Sequence, residues 1–311
     1  MQKSIKMKQI LFSIPFLFLH FISHSQGTIN VIAWNIESGG AAIETIANQM
    51  KAMRDIDIWG LSEVPGPQAV VPLKRAAADA GLETFEGLLG NTGGGDRLMI
   101  IYNAERFILE DDFELEDINI ANSGRAPLIV KLKDRQTETS FYFMVNHFFR
   151  GNRNKRHQQS RLLNQWAEEQ TIPIIAVGDY NFDWNVNNGD TNHGLGFDLL
   201  TAGEIFRWVR PEVLVRTQCS NTSNGGCRYN SVLDFIFVAN QPLRWSSSSK
   251  IIQTPNDFPD NDQTSDHRPV LGTFIVPDKK SVEEIKLLML ARIANLESEI
   301  RVIKSLIDQI N

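Results

Sequence analysis

The 311-residue chain has only two cysteines, Cys219 and Cys227, which excludes a disulfide-dense miniature scaffold and a cysteine-rich zinc module. It has no G-x-S-x-G, so a serine-hydrolase reading has no nucleophile signature. The glycines of NTGGGD at 91–96 lack the following Lys-Ser/Thr of a phosphate-gripping loop and read as a flexible connection. There is no repeat at solenoid period. Positive charge is also scarce: 31 Lys and Arg face 37 Asp and Glu, a formal charge of −6, which excludes a general nucleic-acid coat protein and confines any basic surface to one locality.

Apolar residues make up 42% of the chain and charged residues 22%, enough to bury a core and to exclude wholesale disorder. The first 26 residues carry Lys3, Lys6 and Lys8 ahead of an apolar run at 10–22, broken by Pro15 and His20. That run is short for a membrane span and of ordinary length for a signal peptide, with Ser23 and Ser25 placing a cut after Ser25 or Gln26. Cleavage loses three lysines and no acid, taking the charge from −6 to −9, and leaves no stable membrane span. No cysteine stands near the cut to carry a lipid anchor. The expected location is secreted or periplasmic. In that setting Cys219 and Cys227, with seven residues between them and no histidine nearby, read as a disulfide clip. Asn221 heads a glycosylation sequon that matters only in a host that glycosylates exported proteins.

Short β-branched runs are expected as strands at 29–35, 57–63, 97–103, 126–132, 140–147, 173–179, 204–209, 231–238 and 268–276. Several are too continuously apolar to have one wet face, so the sheets are buried. Ile43, Ile46, Ala47, Met50 and Met53 share one helical face, as do Leu162, Leu163 and Trp166. The class is α/β or α+β. Residues 27–277 form one domain, and 278–311 is a separate helix with no Gly or Pro. In that tail Val282, Met289, Leu296, Ile303 and Ile310 recur every seven residues, with Ile293, Ile300 and Ile307 as the companion seam and Lys286 as its one polar break. The period of 3.5 favours a coiled-coil homo-oligomer through 282–310 over docking on the domain, and isoleucine at both seam positions favours three or four strands.

Polar residues sit where apolar strands stop: Asn35 and Glu37, Glu63, His147, Asp179 and Asn181, and Asp266 and His267, with Asp234 inside SVLDFIFV. Taken singly each has a plain structural reading, as turn former or satisfied polar group. Taken together, they are separated side chains that a rigid scaffold brings into one cleft, and buried charge there calls for a partner or a metal. The set resembles the endonuclease/exonuclease/phosphatase superfamily, the deoxyribonuclease I-like fold. The resemblance rests on the Asn after the first strand, LSE, the His of VNH, GDYN, the Asp of LDFIF, and SDHRPV, in that order over nearly all of 28–276. It implies a four-layer αββα sandwich of two packed mixed sheets.

The resemblance implies a metal-dependent phosphoric ester hydrolase. Glu63, helped by Asn35 and Asp266, would hold Mg²⁺, with Mn²⁺ or Ca²⁺ as alternatives; one or two carboxylates suffice because water and substrate complete the shell. Asp179 would orient or deprotonate the attacking water, Asn181 and His147 would contact the scissile phosphate, and Arg125 in SGRAPLIVKL would bind it. Asp234 would orient one of the two histidines, and either Asp179 or His267 would be the base. An irregular Ca²⁺ loop at Asp183, Asn185 and Asn187 is a further candidate. Arg150, Arg153, Lys155, Arg156 and Arg161 follow His147 with no acid among them, and either track a nucleic-acid backbone or form the polar face of a helix. Phe148 and Phe149 beside them stack on bases or belong to the core. The leading expectation is an exported phosphodiesterase acting as a nuclease. A phospholipid phosphodiesterase, a small-phosphoester phosphatase and a non-catalytic oligomeric binding protein are the alternatives.

Overall fold

Strand β1 (Gln26–Asn35) pairs parallel with β2 (Ile58–Val64) on one side and antiparallel with the last strand of the domain on the other, Gln26 lying opposite Pro277. A parallel pair needs a long crossover, supplied by helix α1 (Ile43–Ala52), which buries Ile46, Ala47 and Met50. Helix α2 (Val70–Ala78), β3 (Phe85–Leu89) and β4 (Arg97–Asn103) follow, then β5 (Phe107–Glu114), β6 (Leu128–Asp134) and β7 (Ser140–His147). A second crossover runs through α3 (Arg153–Glu168) to β8 (Ile174–Asn185), parallel to β7. Helix α4 (Leu195–Thr201), β9 (Arg207–Trp208), β10 (Ser231–Ala239), β11 (Ser246–Ile251), β12 (Val270–Pro277) and α5 (Lys279–Asp308) complete the order. This computed structural model describes residues 26–78, 84–220, 226–242, 245–259, 263–277 and 279–308. Residues 1–25 of the proposed leader at 1–26, the sequon at Asn221 and the seam residue Ile310 lie outside the described residues.

The two sheets are six-stranded and mixed, ordered β11-β12-β1-β2-β4-β3 and β5-β6-β7-β8-β10-β9. One buried cluster fills the space between the sheets and the outer face of the second, joining Val31, Ile58 and Ile100 to Phe143, Val177 and Phe235. Another packs α1 and α2 on the outer face of the first sheet around Trp34, Met50 and Leu73. The architecture is the expected αββα sandwich. Central strands read as unbroken apolar runs because each is covered on both faces. The strands absent from the sequence expectation, β3, β5 and β11, are all edge strands with polar or charged residues, such as SSSSKI in β11 and FILEDDFE in β5. The strand expected at 204–209 shortens to Arg207–Trp208 at the remaining edge.

Cys219 and Cys227 form a disulfide with Cα atoms 4.9 Å apart. Helix α5 is a lone helix: Met289, Ile293, Leu296, Ile300, Ile303 and Ile307 are each 41–63% exposed, so the seam does not dock on the domain.

Candidate active site

The functional side chains gather at the carboxyl ends of the two parallel pairs, where strands stop but their crossovers have turned away. On the first sheet Asn35 ends β1 and Glu63 lies near the end of β2. The β2–β4 ladder slips between Leu61 and Val64, and Glu63 takes a left-handed φ of 59°, which turns its carboxylate out of the strand pattern. On the second sheet His147 and Asp179 are register partners across β7 and β8, and Asp234 of β10 is the antiparallel partner of Asp179.

Two glycines permit this approach. Gly178 adopts φ 137°, and a Cβ there would fall 1.9 Å from the carbonyl oxygen of Asn146. Gly60 of β2 faces the second sheet, where a Cβ would lie 2.4 Å from the Val177 side chain. The sheets therefore close together just below the site, and the GD of GDYN is a backbone requirement as well as a chemical one.

The SDH segment is fastened to the end of β1. Ser265 Oγ donates to the carbonyl of Asn35 at 2.6 Å and accepts from the His267 N–H at 2.9 Å, while Trp34 Nε1 donates to the carbonyl of His267 at 2.9 Å. The Asp266 N–H donates to Glu37 Oε2 at 2.9 Å. On the far side the N–H of disulfide-bonded Cys219 donates to the carbonyl of Asp266 at 2.8 Å and braces this wall.

Asp179 Oδ2 is the hub. It accepts from Asn35 Nδ2 at 3.2 Å and lies 3.5 Å from His147 Nε2 and 3.9 Å from His267 Nε2. Asn35 Nδ2 also reaches Glu63 Oε1 at 2.8 Å, and its amide oxygen accepts from the Glu37 N–H at 3.0 Å. His147 Nε2 is 3.8 Å from Glu63 Oε1. His267 Nδ1 contacts Asp234 Oδ2 at 2.8 Å, which settles which histidine that carboxylate faces. Asp266 lies on the rim, with Oδ1 3.7 Å from His267 Nε2 and Oδ2 accepting from Gln218 and Ser220 at 2.6 and 2.8 Å. The Asn181 N–H donates to Asp179 Oδ1 at 2.9 Å, and its amide Nδ2 donates to the carbonyl of Phe148 at 3.0 Å. Arg125 does not stand free for phosphate: it pairs with Asp96.

Asp96 was not expected from the sequence. It closes the loop at 91–96, pairs with Arg125 and places Oδ1 3.9 Å from His147 Nδ1. Its one sequence signal is an acid ending a glycine run just ahead of a strand.

Burial sets the electrostatics. It raises the carboxyl pKa of Glu63 against the hydrogen bond from Asn35, and it raises Asp179 in the same way, with Asp234 and Glu63 adding repulsion. His147 falls well below its usual value through burial, with Arg125 and His267 adding to the fall. His267 would fall for the same reason, but the carboxylates of Asp234, Asp179 and Asp266 reverse the sign and raise it.

Residues 32–267 match the Endonuclease/Exonuclease/phosphatase family. The chain belongs to that family. No curated protein matches the sequence. Similar solved structures include an endonuclease/exonuclease/phosphatase family protein from Bacteroides thetaiotaomicron, 17% identical with a TM-score of 0.60 over 82% of this chain and 97% of that one. D. rerio TDP2 in complex with a single-strand DNA product is 20% identical with a TM-score of 0.59, covering 79% and 98%. The mannosyl-6-phosphatase of Bacteroides thetaiotaomicron is 17% identical with a TM-score of 0.57, covering 79% and 99%. At these identities the structures share the fold.

The endonuclease/exonuclease/phosphatase centre of this chain fits a divalent cation. Glu63, Asp96 and His147 form one group and Asp179, Asp234 and His267 another, each with its ligand atoms within 4.8 Å of one another. Five acidic side chains, those of Glu63, Asp96, Asp179, Asp234 and Asp266, gather around Arg125 and the two histidines His147 and His267. Buried Asp96 Oδ1, Asp234 Oδ1 and His147 Nδ1 have no hydrogen-bond partner. Excess negative charge with unsatisfied oxygens suits a hard cation. The centre is that of a metal-dependent hydrolase.

The basic run after His147 needs one correction. Arg156 is buried, not part of an open backbone track: its Nη1 donates to the carbonyls of Phe149 and Arg150 at 2.7 and 2.9 Å. Its donors tie the strand-to-helix turn together. Phe148 is fully buried in the core, and Lys155 lies over the half-buried ring of Phe149. In the loop considered for Ca²⁺, Asn185 Oδ1 accepts from the Asn187 N–H at 2.9 Å and closes a turn.

Proposed function

We propose that this chain is an exported phosphodiesterase that uses Mg²⁺ and acts as a nuclease. The observation that carries it is the placement of Asn35, His147 and His267 around one oxygen of Asp179, with Glu63 3.8 Å from His147. Glu63, with Asn35 and Asp266 nearby, would hold the ion, which when bound supplies positive charge to the phosphate oxygens.

The side chains do the rest. Asp179 aligns the attacking water and takes its proton, held in place by the Asn181 N–H and the Asn35 amide. Asp234 fixes the ring of His267 through Nδ1, so that Nε2 faces the phosphate. His147 contacts the phosphate from the opposite side, Asn181 lies beside Asp179 with its second amide hydrogen left for the phosphate, and Arg125 reaches it only by releasing Asp96.

The decisive assay offers plasmid DNA, single-stranded DNA, RNA, sphingomyelin vesicles and inositol phosphates, with Mg²⁺ or with chelator. Nucleic acid is cleaved in Mg²⁺, chelator abolishes cleavage, and Glu63→Gln lowers the rate at least about 10²-fold. Cleavage of sphingomyelin or a small phosphoester alone replaces the nuclease reading. No hydrolysis by a folded chain leaves the binding-protein reading.

Two further elements belong to the same proposal. The apolar run at 10–22 and the disulfide support export, and no helix among the described residues is long and apolar enough to cross a membrane. The 3.5-residue period of α5, with its seam open, supports a coiled coil with further copies of this chain.

A further inference from the structure

Two cavities that share a wall lie on the side of the catalytic cluster where Gln218 meets Asp266. The first, about 420 Å³, is lined by Arg150, Asp183, Asn185, Gln218, Tyr229 and Ser231, among others. The second, about 390 Å³, holds Arg153, Arg156, His157 and His193, and Asp183 and Asn192 line both. The inner end is anchored at the centre itself: Gln218 is bridged to His267 and donates to Asp266, and Arg150 follows His147 by three residues. Asp183 and Asn185 lie four and six residues beyond Asp179 on β8, at most about 13 and 20 Å along the strand at roughly 3.3 Å per residue.

The cavities differ in chemistry. The first has one cation, Arg150, which is exposed and has no acidic partner among the described residues. Its other donors and acceptors are neutral amides and the hydroxyls of Tyr229 and Ser231, apart from Asp183, which sits 3.9 Å from Arg156. Tyr229 is 51% exposed, with the guanidinium of Arg228 5.1 Å from its ring centre. That is a lining for a neutral hydroxylated ring joined to a planar base. The second carries two arginines, Arg153 and Arg156, against the single carboxylate of Asp183. Arg156 is 6% exposed and its Nε has no partner, and Arg153 opens the 16-residue helix α3 at its positive end.

We propose that the two cavities form one track for single-stranded nucleic acid. The nucleoside next to the scissile phosphate occupies the first cavity with its base on Tyr229, and the following phosphate occupies the second beside Arg153 and His157, with buried Arg156 holding the turn beneath them. Neutral and cationic lining alternate as nucleoside and phosphate do. A paired base is stacked on its neighbours and is not free to lie on a side chain, so the track selects single strands. A lone sugar phosphate at the centre would leave the second cavity without its anion.

The inference rests on the phosphodiesterase reading, and its test separates the two by measuring binding in chelator. The probes are thymidine di- and trinucleotides, the full chain is used, and circular dichroism checks that each variant is folded. The wild type binds the trinucleotide more tightly than the dinucleotide. Tyr229→Ala weakens both about tenfold, as loss of one base stack does. Arg153→Gln with His157→Gln weakens only the trinucleotide and lowers its salt slope by about 0.7, the share of one phosphate on a single strand. Equal binding of the two probes by the wild type, or no effect of either variant, overturns the track. So does equally tight binding of a self-complementary duplex. Predicted binding without hydrolysis in Mg²⁺ keeps the track and overturns the phosphodiesterase reading.

Discussion

Asp234 faces His267 Nδ1 at 2.8 Å from the middle of an apolar strand, and its second oxygen is buried without a partner. A carboxylate so placed acts on the ring it orients rather than on the fold around it. Asp234→Asn keeps the shape and removes the charge. Phosphodiester cleavage falls by about 10² to 10⁴-fold with the circular dichroism spectrum unchanged. Activity within twofold of wild type would mean that His267 needs no orienting partner.

Gly178 is a position where any side chain meets backbone. Its φ of 137° and the 1.9 Å approach to the Asn146 carbonyl make Gly178→Ala costly by at least about 3 kcal/mol, read as a fall in the urea midpoint at constant slope. A midpoint equal to wild type would show that β7 and β8 can part without loss.

His193 lies outside the centre, stacked on Trp184 with ring centroids 4.7 Å apart. Burial lowers its pKa, but Asp198 at 2.9 Å from Nε2 and the carbonyl of Gly189 outweigh it and lift the value above the usual 6.5. A raised folded pKa stabilises the fold fully below the unfolded value and loses that contribution as pH rises through the folded one. The melting temperature of wild type therefore exceeds that of Asp198→Asn most at about pH 5.5, and the difference closes towards about pH 9. A constant difference across that range contradicts the linkage.

Removal of 279–311 tests the tail. Light scattering gives a smaller assembly for the shortened chain, while hydrolysis of a small diester stays within about twofold because α5 contributes no residue to the centre. An unchanged mass in solution rules out the coiled coil.

The sequence shows Asn35, Glu63, His147, Asp179, Asp234 and His267 because each interrupts or ends an apolar run, and polarity there is conspicuous. Asp96 escapes notice because it sits among glycines in a loop, where an acid is unremarkable, and only the fold brings it to Arg125. Arg156 misleads in the opposite way. Five basic residues in one stretch suggest an exposed stripe, yet one arginine is withdrawn to satisfy two carbonyls at a turn. Edge strands β3, β5 and β11 are hard to read for a related reason: half of their backbone bonding is unpaired, and polar side chains that protect such edges erase the apolar alternation.

The pairing of β1 with β12 has a temporal meaning. Asn35 and Glu63 are made early, but His267 and the strand that docks beside β1 leave the ribosome more than two hundred residues later. A chain that ends before Ser265 thus lacks Asp266 and His267, and the reaction centre is complete only once β12 has paired with β1.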